Sequence, residues 1–209
     1  MTRAHIPGIL AMAVIVLASN ILVQFLFGNW LTWGAFTYPF AFLVTDLMNR
    51  LYGPSAARQV VFTGFVVGVF CSLAGTQVQG EFGPLVTIRI ALASGVAFLS
   101  AQLLDVAIFD RLRRGAWWRA PLASTLVGAS LDTALFFSIA FSGTLVFLDP
   151  ANDVSWAGEL TPVLGAGPLM PLWVSLAVAD WLVKLSLALI ALIPFRLMVL
   201  RFRKNAPSG

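Results

Sequence analysis

The sequence has little charge, one cysteine and one histidine, and these scarcities set the first limits on its structure. Charged residues make up 11% of the 209 residues and hydrophobic residues 59%, and the mean hydropathy is +0.91. A water-soluble fold could not cover that much apolar surface with so few charges. Because apolar runs occupy nearly the whole chain, we predict one polytopic membrane domain over residues 1–209.

The motifs of several enzyme classes are also missing. There is no glycine-rich phosphate loop followed by Lys and Ser or Thr, which excludes ATP hydrolysis by that machinery. Neither G-x-S-x-G nor H-E-x-x-H occurs, and His5 stands alone. The lone Cys71, within an apolar run, excludes a disulfide or thiolate metal cluster inside one chain. We therefore predict no catalytic residue, no metal site and no cofactor.

The apolar residues form six runs of a length that suits membrane helices. At about 1.5 Å per residue, about 20 residues cross a hydrocarbon core of about 30 Å. The first run could be a signal peptide, but it continues through Asn20 and Gln24 without a clear cleavage site, which favours a membrane helix. The predicted fold class is an all-α membrane protein with six transmembrane helices at approximately 9–27, 35–51, 60–76, 85–109, 120–141 and 172–200.

The basic residues indicate the orientation of these helices. A net charge of +4 could suggest nucleic acid, but the basic residues are spread through short loops, so the predicted partner is the lipid bilayer and not nucleic acid. Loops rich in Lys and Arg stay in the cytoplasm, so both termini are predicted to be cytoplasmic. The loops of this face carry eleven of the thirteen Lys and Arg residues: Arg3, Arg50, Arg58, Arg111, Arg113, Arg114, Arg119, Arg196, Arg201, Arg203 and Lys204.

The opposite, outer face has acids but no Lys or Arg. Glu81 lies in its second loop, and Asp149, Asp153 and Glu159 lie in a long connection over residues 142–171. This connection is rich in Gly and Pro and contains Trp156. We interpret it as a lid or an interfacial loop, with an irregular linker as the alternative.

Six ionisable residues fall inside the predicted spans and are the main functional signal. Each costs at least about 2.5 to 3.5 kcal/mol near the middle of a bilayer, so such groups normally face a protein interior or an aqueous pathway. The alternative is a set of structural ion pairs, since Asp180 and Lys184 are four residues apart on one helix face. The six are Asp46, Arg89, Asp105, Asp132, Asp180 and Lys184.

Counting along each run places these groups at different depths. Asp132, Asp180, Lys184 and Asn20 fall near the middle of their spans and could form one polar layer. The cytoplasmic half is predicted to contain Asp46, Gln102 and Asp105, and the outer half Arg89 and Gln24. Polar groups at several depths indicate a route across the membrane.

Small residues recur at four-residue intervals in two runs. Gly64, Gly68 and Ser72 form a stripe that lets another helix approach closely, either in this chain or in a second copy that would make a homodimer. Ser124 and Gly128 form a similar stripe with Asp132, which predicts either a cavity beside the carboxylate or close packing.

Aromatic residues next to a proline are candidates for stacking on a planar ligand. Phe36, Tyr38 and Phe40 surround Pro39, which is suited to open a helix. Most other Phe and Trp residues are predicted to face lipid or the membrane interface.

Four longer strings are distinctive: TWGAFTYPFAFLVTDL (32–47), LYGPSAAR (51–58), ALASGVAFLSAQLLDV (91–106) and ASTLVGASLDT (123–133). With Asp180, Lys184 and Pro194 in the last run, they resemble the queuosine precursor transporter family, also called the vitamin uptake transporter family. The resemblance implies import of 7-cyano-7-deazaguanine or 7-aminomethyl-7-deazaguanine across the bacterial inner membrane. Some relatives have an acid where this chain has Arg50, which makes Arg50 a weak candidate for substrate contact.

The polar residues suit such a ligand without selecting it. A guanine-like edge presents an N1 proton and an amino group to a carboxylate, and its carbonyl accepts from Arg, Lys, Gln or Asn. An aromatic ring could stack on the bicycle. The predicted substrate-binding residues are Asp132, Asp46, Arg89, Gln102, Lys184, Asn20, Phe40, Tyr38, Asp180 and Asp105.

Three functions remain open from the sequence. The first is a secondary transporter or facilitator for the small-molecule deazaguanines, which requires no enzyme activity. The second is a substrate-capture subunit of an ATP-driven vitamin or nucleobase importer, because such subunits have a similar size. The third is an intramembrane enzyme with paired aspartates, which lacks a recognisable catalytic string.

Overall fold

A computed structural model describes residues 3–80 and 83–204, and helices dominate it. Glu81 lies outside the described residues. The main helices are α1 (Ile6–Leu22), α2 (Gly34–Thr37), α3 (Phe40–Tyr52), α4 (Pro54–Gln77), α5 (Ile88–Leu112), α6 (Arg119–Phe141) and α7 (Leu172–Lys204). Three short antiparallel hairpins join strands β1 (Leu26–Phe27) to β2 (Leu31–Thr32), β3 (Gln79–Gly80) to β4 (Gly83–Pro84) and β5 (Leu160–Pro162) to β6 (Leu169–Pro171).

Helix length and composition agree with an all-α membrane protein. Four helices, α4 to α7, are long and apolar enough to cross a membrane, and α1 is a shorter apolar helix of 17 residues. Many large apolar side chains of these helices are exposed, such as Phe70 at 68% and Ile193 at 66%. Lipid is the environment in which such an apolar surface is stable.

The first two predicted spans differ from the structure at particular residues. The first helix ends at Leu22 and not near Phe27, because Phe27 pairs with Leu31 in a hairpin whose turn contains Gly28 at a φ of +66°. The second span is divided into α2 and α3 at Tyr38 and Pro39. From Gly34 to Tyr52, the two helices and the break between them span nineteen residues, a length of about 28 Å at about 1.5 Å per residue.

The basic loops gather at one end of the helices. The Arg50 guanidinium at the end of α3 donates to the backbone carbonyls of Arg113 and Trp117, which follow α5. The His5 ring, just before α1, contacts the Gln59 amide oxygen near the start of α4 at 3.2 Å. The hairpins and the 142–171 connection join the helices at their other ends.

The stripe of small residues on α4 packs within this chain. A Cβ atom built on Gly64 would lie 2.8 Å from Met12 of α1 and 2.9 Å from Phe98 of α5. A Cβ on Gly68 would lie 3.6 Å from Val16 of α1. Close approach of α1 to α4 therefore accounts for these glycines.

The 142–171 connection is folded and lies against the ends of the helices that are opposite to the basic loops. Its residues form short 3-10 helices and the β5–β6 hairpin. The Asn152 amide donates to the Thr87 hydroxyl at 3.1 Å, at the start of α5. Trp156 packs edge-on against Phe141, with ring centroids 5.6 Å apart.

Candidate functional site

A cavity of about 450 Å³ extends from the end of the helices that carries the hairpins toward the middle of the helices. Its mouth is lined by the β1–β2 hairpin and Trp156, and its inner end is lined by Asp132, Asp180 and Lys184. Helices α1, α4, α5, α6 and α7 and the α2–α3 break all contribute to its walls. The volume lies within the range of about 300 to 1,000 Å³ that small-molecule sites occupy.

A charged cluster forms the inner end of this cavity. The Lys184 Nζ lies 2.7 Å from Asp132 Oδ2 and 2.6 Å from Asp180 Oδ2. The side chains of Lys184, Asp132 and Asp180 are only 5%, 5% and 13% exposed. With every group ionised, two carboxylates and one ammonium leave one excess negative charge at the cavity.

Lys184 is fully engaged by protein groups. Its ammonium has three N–H donors, and it contacts Asp132, Asp180 and, at 3.1 Å, the Thr133 hydroxyl. The Thr133 hydroxyl in turn donates to Asp180 Oδ2 at 2.7 Å. Lys184 therefore links α7 to α6, and the carboxylates of Asp132 and Asp180 can still accept further hydrogen bonds.

Asp132 keeps one carboxylate oxygen for a further partner. Its Oδ1 atom has a long contact of 3.5 Å with the Tyr38 hydroxyl, while Oδ2 accepts from Lys184. Because an ionised carboxylate can accept about four hydrogen bonds, Oδ1 can take a donor from a ligand. This spare acceptor capacity at the end of a cavity is the chemical feature most suited to recognition.

The α2–α3 break positions Tyr38 at this cluster. Pro39 has no N–H donor, and the following residues form tight turn bonds, from Ala41 N to Tyr38 O at 3.0 Å and from Phe42 N to Pro39 O at 3.2 Å. The Tyr38 ring lines the cavity and lies 5.6 Å from the Lys184 Nζ. Discontinuous helices are a recurring feature of substrate sites in transporters.

Five of the ten predicted site residues line this one cavity. Asn20, Tyr38, Asp132, Asp180 and Lys184 do so, and the last three form the charged cluster. The ion pair between Asp180 and Lys184, which the sequence offered as a structural alternative, is therefore present, and Asp132 extends it. The Asn20 amide donates to Val16 O at 2.9 Å within its own helix.

Three predicted site residues lie in a second cluster, away from the cavity lining. Asp46, Gln102 and Asp105 are at most 2% exposed and occupy the contact between α3 and α5. Asp46 accepts from the hydroxyls of Ser124 and Thr125, each at 3.2 Å. The sequence placed all three at one depth, and the structure also places them together.

Arg89 and Phe40 also lie outside the cavity lining. The Arg89 side chain is buried and donates to the carbonyls of Ile139, at 2.6 Å, and Ser142, at the end of α6. A cation in this position stabilises a helix C-terminus, which is a structural role. Phe40 is 44% exposed on the surface of α3.

Several lining residues were not singled out from the sequence. Phe98 of α5 and Phe137 of α6 face the cavity, and the Phe98 and Tyr38 rings pack edge-on at 5.9 Å. In a chain with 17 Phe residues, composition does not separate cavity-lining rings from lipid-facing ones. Their low exposure, 5% for Phe98 and 9% for Phe137, distinguishes them only once the helices are packed.

No metal centre accompanies this cavity in the part of the chain that the structure describes. Within residues 3–80 and 83–204, no group of three or more His, Cys, Asp or Glu side chains is placed to hold a metal ion.

Comparisons with known proteins identify relatives of this chain. The family described as "Putative vitamin uptake transporter" matches residues 32–199. The chain is 42% identical over 142 residues to the "Queuosine precursor transporter" of Escherichia coli (strain K12), with 61% of this chain and 64% of that protein covered. No solved structure gives a significant match.

Two further bacterial relatives have related descriptions. The chain is 35% identical over 175 residues to the "Probable queuosine precursor transporter" of Haemophilus influenzae, with 78% of this chain and 66% of that protein covered. It is 29% identical over 187 residues to the protein of the same description in Bacillus subtilis, with 80% and 71% covered. The chain thus spans just under two thirds of the length of the first two relatives. The predicted family resemblance is confirmed.

Proposed function

This chain belongs to the vitamin uptake transporter family, and we propose that it imports 7-deazaguanine precursors of queuosine across the bacterial inner membrane. The substrates would be 7-cyano-7-deazaguanine, 7-aminomethyl-7-deazaguanine or both. Import would occur by secondary transport or facilitated uptake, without an enzymatic step. The observation that carries this proposal is the cavity that ends on a buried carboxylate, Asp132, whose Oδ1 atom has only a long contact with Tyr38 and can accept a further donor.

Recognition would combine the carboxylates with an aromatic wall. The N1 proton and exocyclic amino group of a guanine-like edge are donors, and Asp132 Oδ1 and Asp180 would accept from them. Tyr38, Phe98 and Phe137 line the same cavity and offer ring surfaces for the bicycle. The excess negative charge of the cluster favours the 7-aminomethyl compound, whose amine is cationic at neutral pH.

The proposed topology has six spans, with α2 and α3 acting together as the second. The basic loops would lie in the cytoplasm together with both termini, and the hairpins and the 142–171 connection would face outward. The cavity would then be open toward the outside, as an importer requires before it loads substrate.

The topology predicts the result of an accessibility experiment. Single cysteines introduced at Gln79 and Asn152, in a Cys71→Ser background, should react with a membrane-impermeant maleimide in intact cells. A cysteine at Gly115, between α5 and α6, should react only after the membrane is permeabilised. Reaction of the Gly115 site in intact cells, or protection of the Asn152 site there, would contradict the six-span arrangement.

Uptake of a labelled substrate tests the function directly. Cells that lack both queuosine synthesis and their own carrier should accumulate radiolabelled 7-aminomethyl-7-deazaguanine and 7-cyano-7-deazaguanine only when this chain is expressed. Uptake should saturate, and unlabelled guanine should compete less well than either deazaguanine. Purified protein in liposomes should exchange the same compounds without any ATPase. A requirement for an ATPase partner would favour a substrate-capture subunit instead.

A further inference from the structure

The second polar cluster contains more unmet hydrogen-bonding capacity than any other buried contact among the described residues. It comprises Thr45, Asp46 and Asn49 of α3 with Gln102 and Asp105 of α5, and we name it the inner polar cluster. All five residues are at most 2% exposed. Both Asp105 oxygens, Asn49 Oδ1 and Gln102 Nε2 are buried without a hydrogen-bond partner.

Most of the donors in this cluster are directed away from Asp105. The hydroxyls of Ser124 and Thr125 donate to Asp46 at 3.2 Å each. The Thr45 hydroxyl donates to Gln102 Oε1 at 2.7 Å, and the Asn49 amide donates to Val106 O at 3.0 Å. A buried, ionised carboxylate without donors is strongly disfavoured, so Asp105 requires either a counterion or a proton.

The Asp46 and Asp105 side chains lie against the same stretch of α6. Ser124 donates to Asp46, and a Cβ built on Gly128, one turn further along, would lie 3.3 Å from Asp105 Cβ. Two neighbouring carboxylates in one buried site cannot readily both be ionised, and one proton shared between them removes the repulsion. A bridging proton would also provide Asp105 with the hydrogen bond it lacks.

The charged groups on the surrounding helices do not occupy this position. Arg50 lies one turn from Asp46 on α3, but its guanidinium donates to the carbonyls of Arg113 and Trp117. Lys184 of α7 is bound to Asp132 and Asp180 at the cavity. The other titratable or charged side chains that the structure describes toward the basic end are partly or largely exposed: His5, Tyr52, Arg58, Asp110, Arg111, Arg113, Arg114, Arg119, Arg196 and Arg201.

Helix α6 connects the inner polar cluster to the cavity. Ser124, Gly128 and Asp132 follow one another every four residues on one helix face. Ser124 donates to Asp46, and Asp132 lines the cavity. Between them, a Cβ built on Gly128 would lie 3.3 Å from Asp105 Cβ and 2.9 Å from Phe42, so α6 packs directly on the acidic pair.

We propose that the Asp46–Asp105 pair is the proton-binding site through which this transporter couples substrate import to a proton gradient. The proposal rests on the proposed import function. A proton that enters from the outside converts the pair to a single negative charge, which lets α3, α5 and α6 pack closely. Its release to the cytoplasm leaves two neighbouring buried carboxylates, whose repulsion separates these helices at their basic ends. No bond other than those to the proton changes, and one proton crosses with each substrate.

Liposomes with purified protein provide the test, with 7-cyano-7-deazaguanine as the probe because its cyano group does not titrate. Wild-type protein should accumulate the probe up to about tenfold when the outer buffer is about one pH unit more acidic. Asp105→Asn should abolish this accumulation and retain exchange of labelled for unlabelled probe, since exchange needs no net proton movement. Asp110→Asn, on the same helix but with a 42% exposed side chain, is the matched control and should behave as wild type.

An infrared measurement examines the proton independently of transport. The spectrum of the wild-type protein near neutral pH should contain a buried carboxylic-acid carbonyl band, which both Asp105→Asn and Asp46→Asn remove or shift. Three results would overturn the proposal. Asp105→Asn could still accumulate the probe fully in a pH gradient, Na⁺ could drive accumulation in place of the pH gradient, or the carboxylic-acid band could be unchanged in both variants. Failure of wild-type exchange would instead reject the proposed substrate, and the infrared band would still decide whether the pair holds a proton.

Discussion

Replacement of Asp132 by Asn should lower the affinity for 7-aminomethyl-7-deazaguanine by about tenfold to one hundredfold, which corresponds to about 1 to 3 kcal/mol. The amide keeps the size of the side chain but presents a donor where Oδ1 now offers an acceptor. It also removes the excess negative charge at the cavity, because Lys184 would then face only Asp180. Affinity for the uncharged 7-cyano compound should therefore fall less than affinity for the cationic one.

Equilibrium binding to the purified variant, by scintillation proximity or calorimetry, measures both affinities. Asp110→Asn serves as the control because its carboxylate is 42% exposed and pairs with Arg113, the residue that follows α5. The Asp132→Asn protein should insert and purify normally, because Lys184 keeps Asp180 and Thr133 as partners. Unchanged affinity for both compounds would assign Asp132 to the scaffold and direct the search for the substrate site to Asp46 and Gln102.

Replacement of Lys184 by Met should destabilise the folded protein by about 3 to 5 kcal/mol, because it leaves buried carboxylates without their counterion. Lys184 contacts Asp132 and Asp180 at 2.7 and 2.6 Å, and all three groups are nearly inaccessible to solvent. The loss should appear as a lower melting temperature in detergent and a lower yield of monodisperse protein. Substrate binding should also be lost, since α6 and α7 would no longer hold Asp132 in place.

Neutralising the acids separates this charge effect from packing. Lys184→Met combined with Asp132→Asn and Asp180→Asn should recover most of the melting temperature without recovering substrate binding. Arg196→Met is a suitable single-site comparison, because that exposed cation stacks on Trp117 at 4.4 Å and should contribute little to stability. A Lys184→Met protein as stable as wild type would show that the cluster is not an ion-paired contact between α6 and α7.

Most helices of the structure were predictable from the local sequence. The runs near 60–76, 85–109, 120–141 and 172–200 each lie within or overlap a helix of the structure, because an apolar segment in a bilayer must satisfy its own backbone hydrogen bonds. The end of α1 and the break at Pro39 were less predictable. Phe27 is apolar enough to continue a membrane helix, and only its pairing with Leu31 shows that the chain turns before it.

The polar residues form two separate sites, and counting residues along each helix predicts this separation only in part. Counting along each helix grouped Asp132, Asp180 and Lys184 with Asn20, and Asp46 with Gln102 and Asp105. The structure brings the first three into contact and buries the last three between α3 and α5. Depth does not specify the direction in which a side chain points or the helix it meets. The same count gave no indication that Arg89 binds the carbonyls at the end of α6.

The sequence by itself determined that this protein is a helical membrane protein of the vitamin uptake transporter family, with ionisable groups inside its spans. Those properties follow from composition, hydropathy and the order of residue strings, none of which depends on which residues are close in space. Only the tertiary structure decided that Asp132 lines a cavity, that Lys184 is saturated by protein partners and that Asp105 is buried without one. The physical reason is that the charge and hydrogen bonding of a buried group depend on the residues that helix packing places around it, and these lie up to 94 positions away, as Tyr38 does from Asp132.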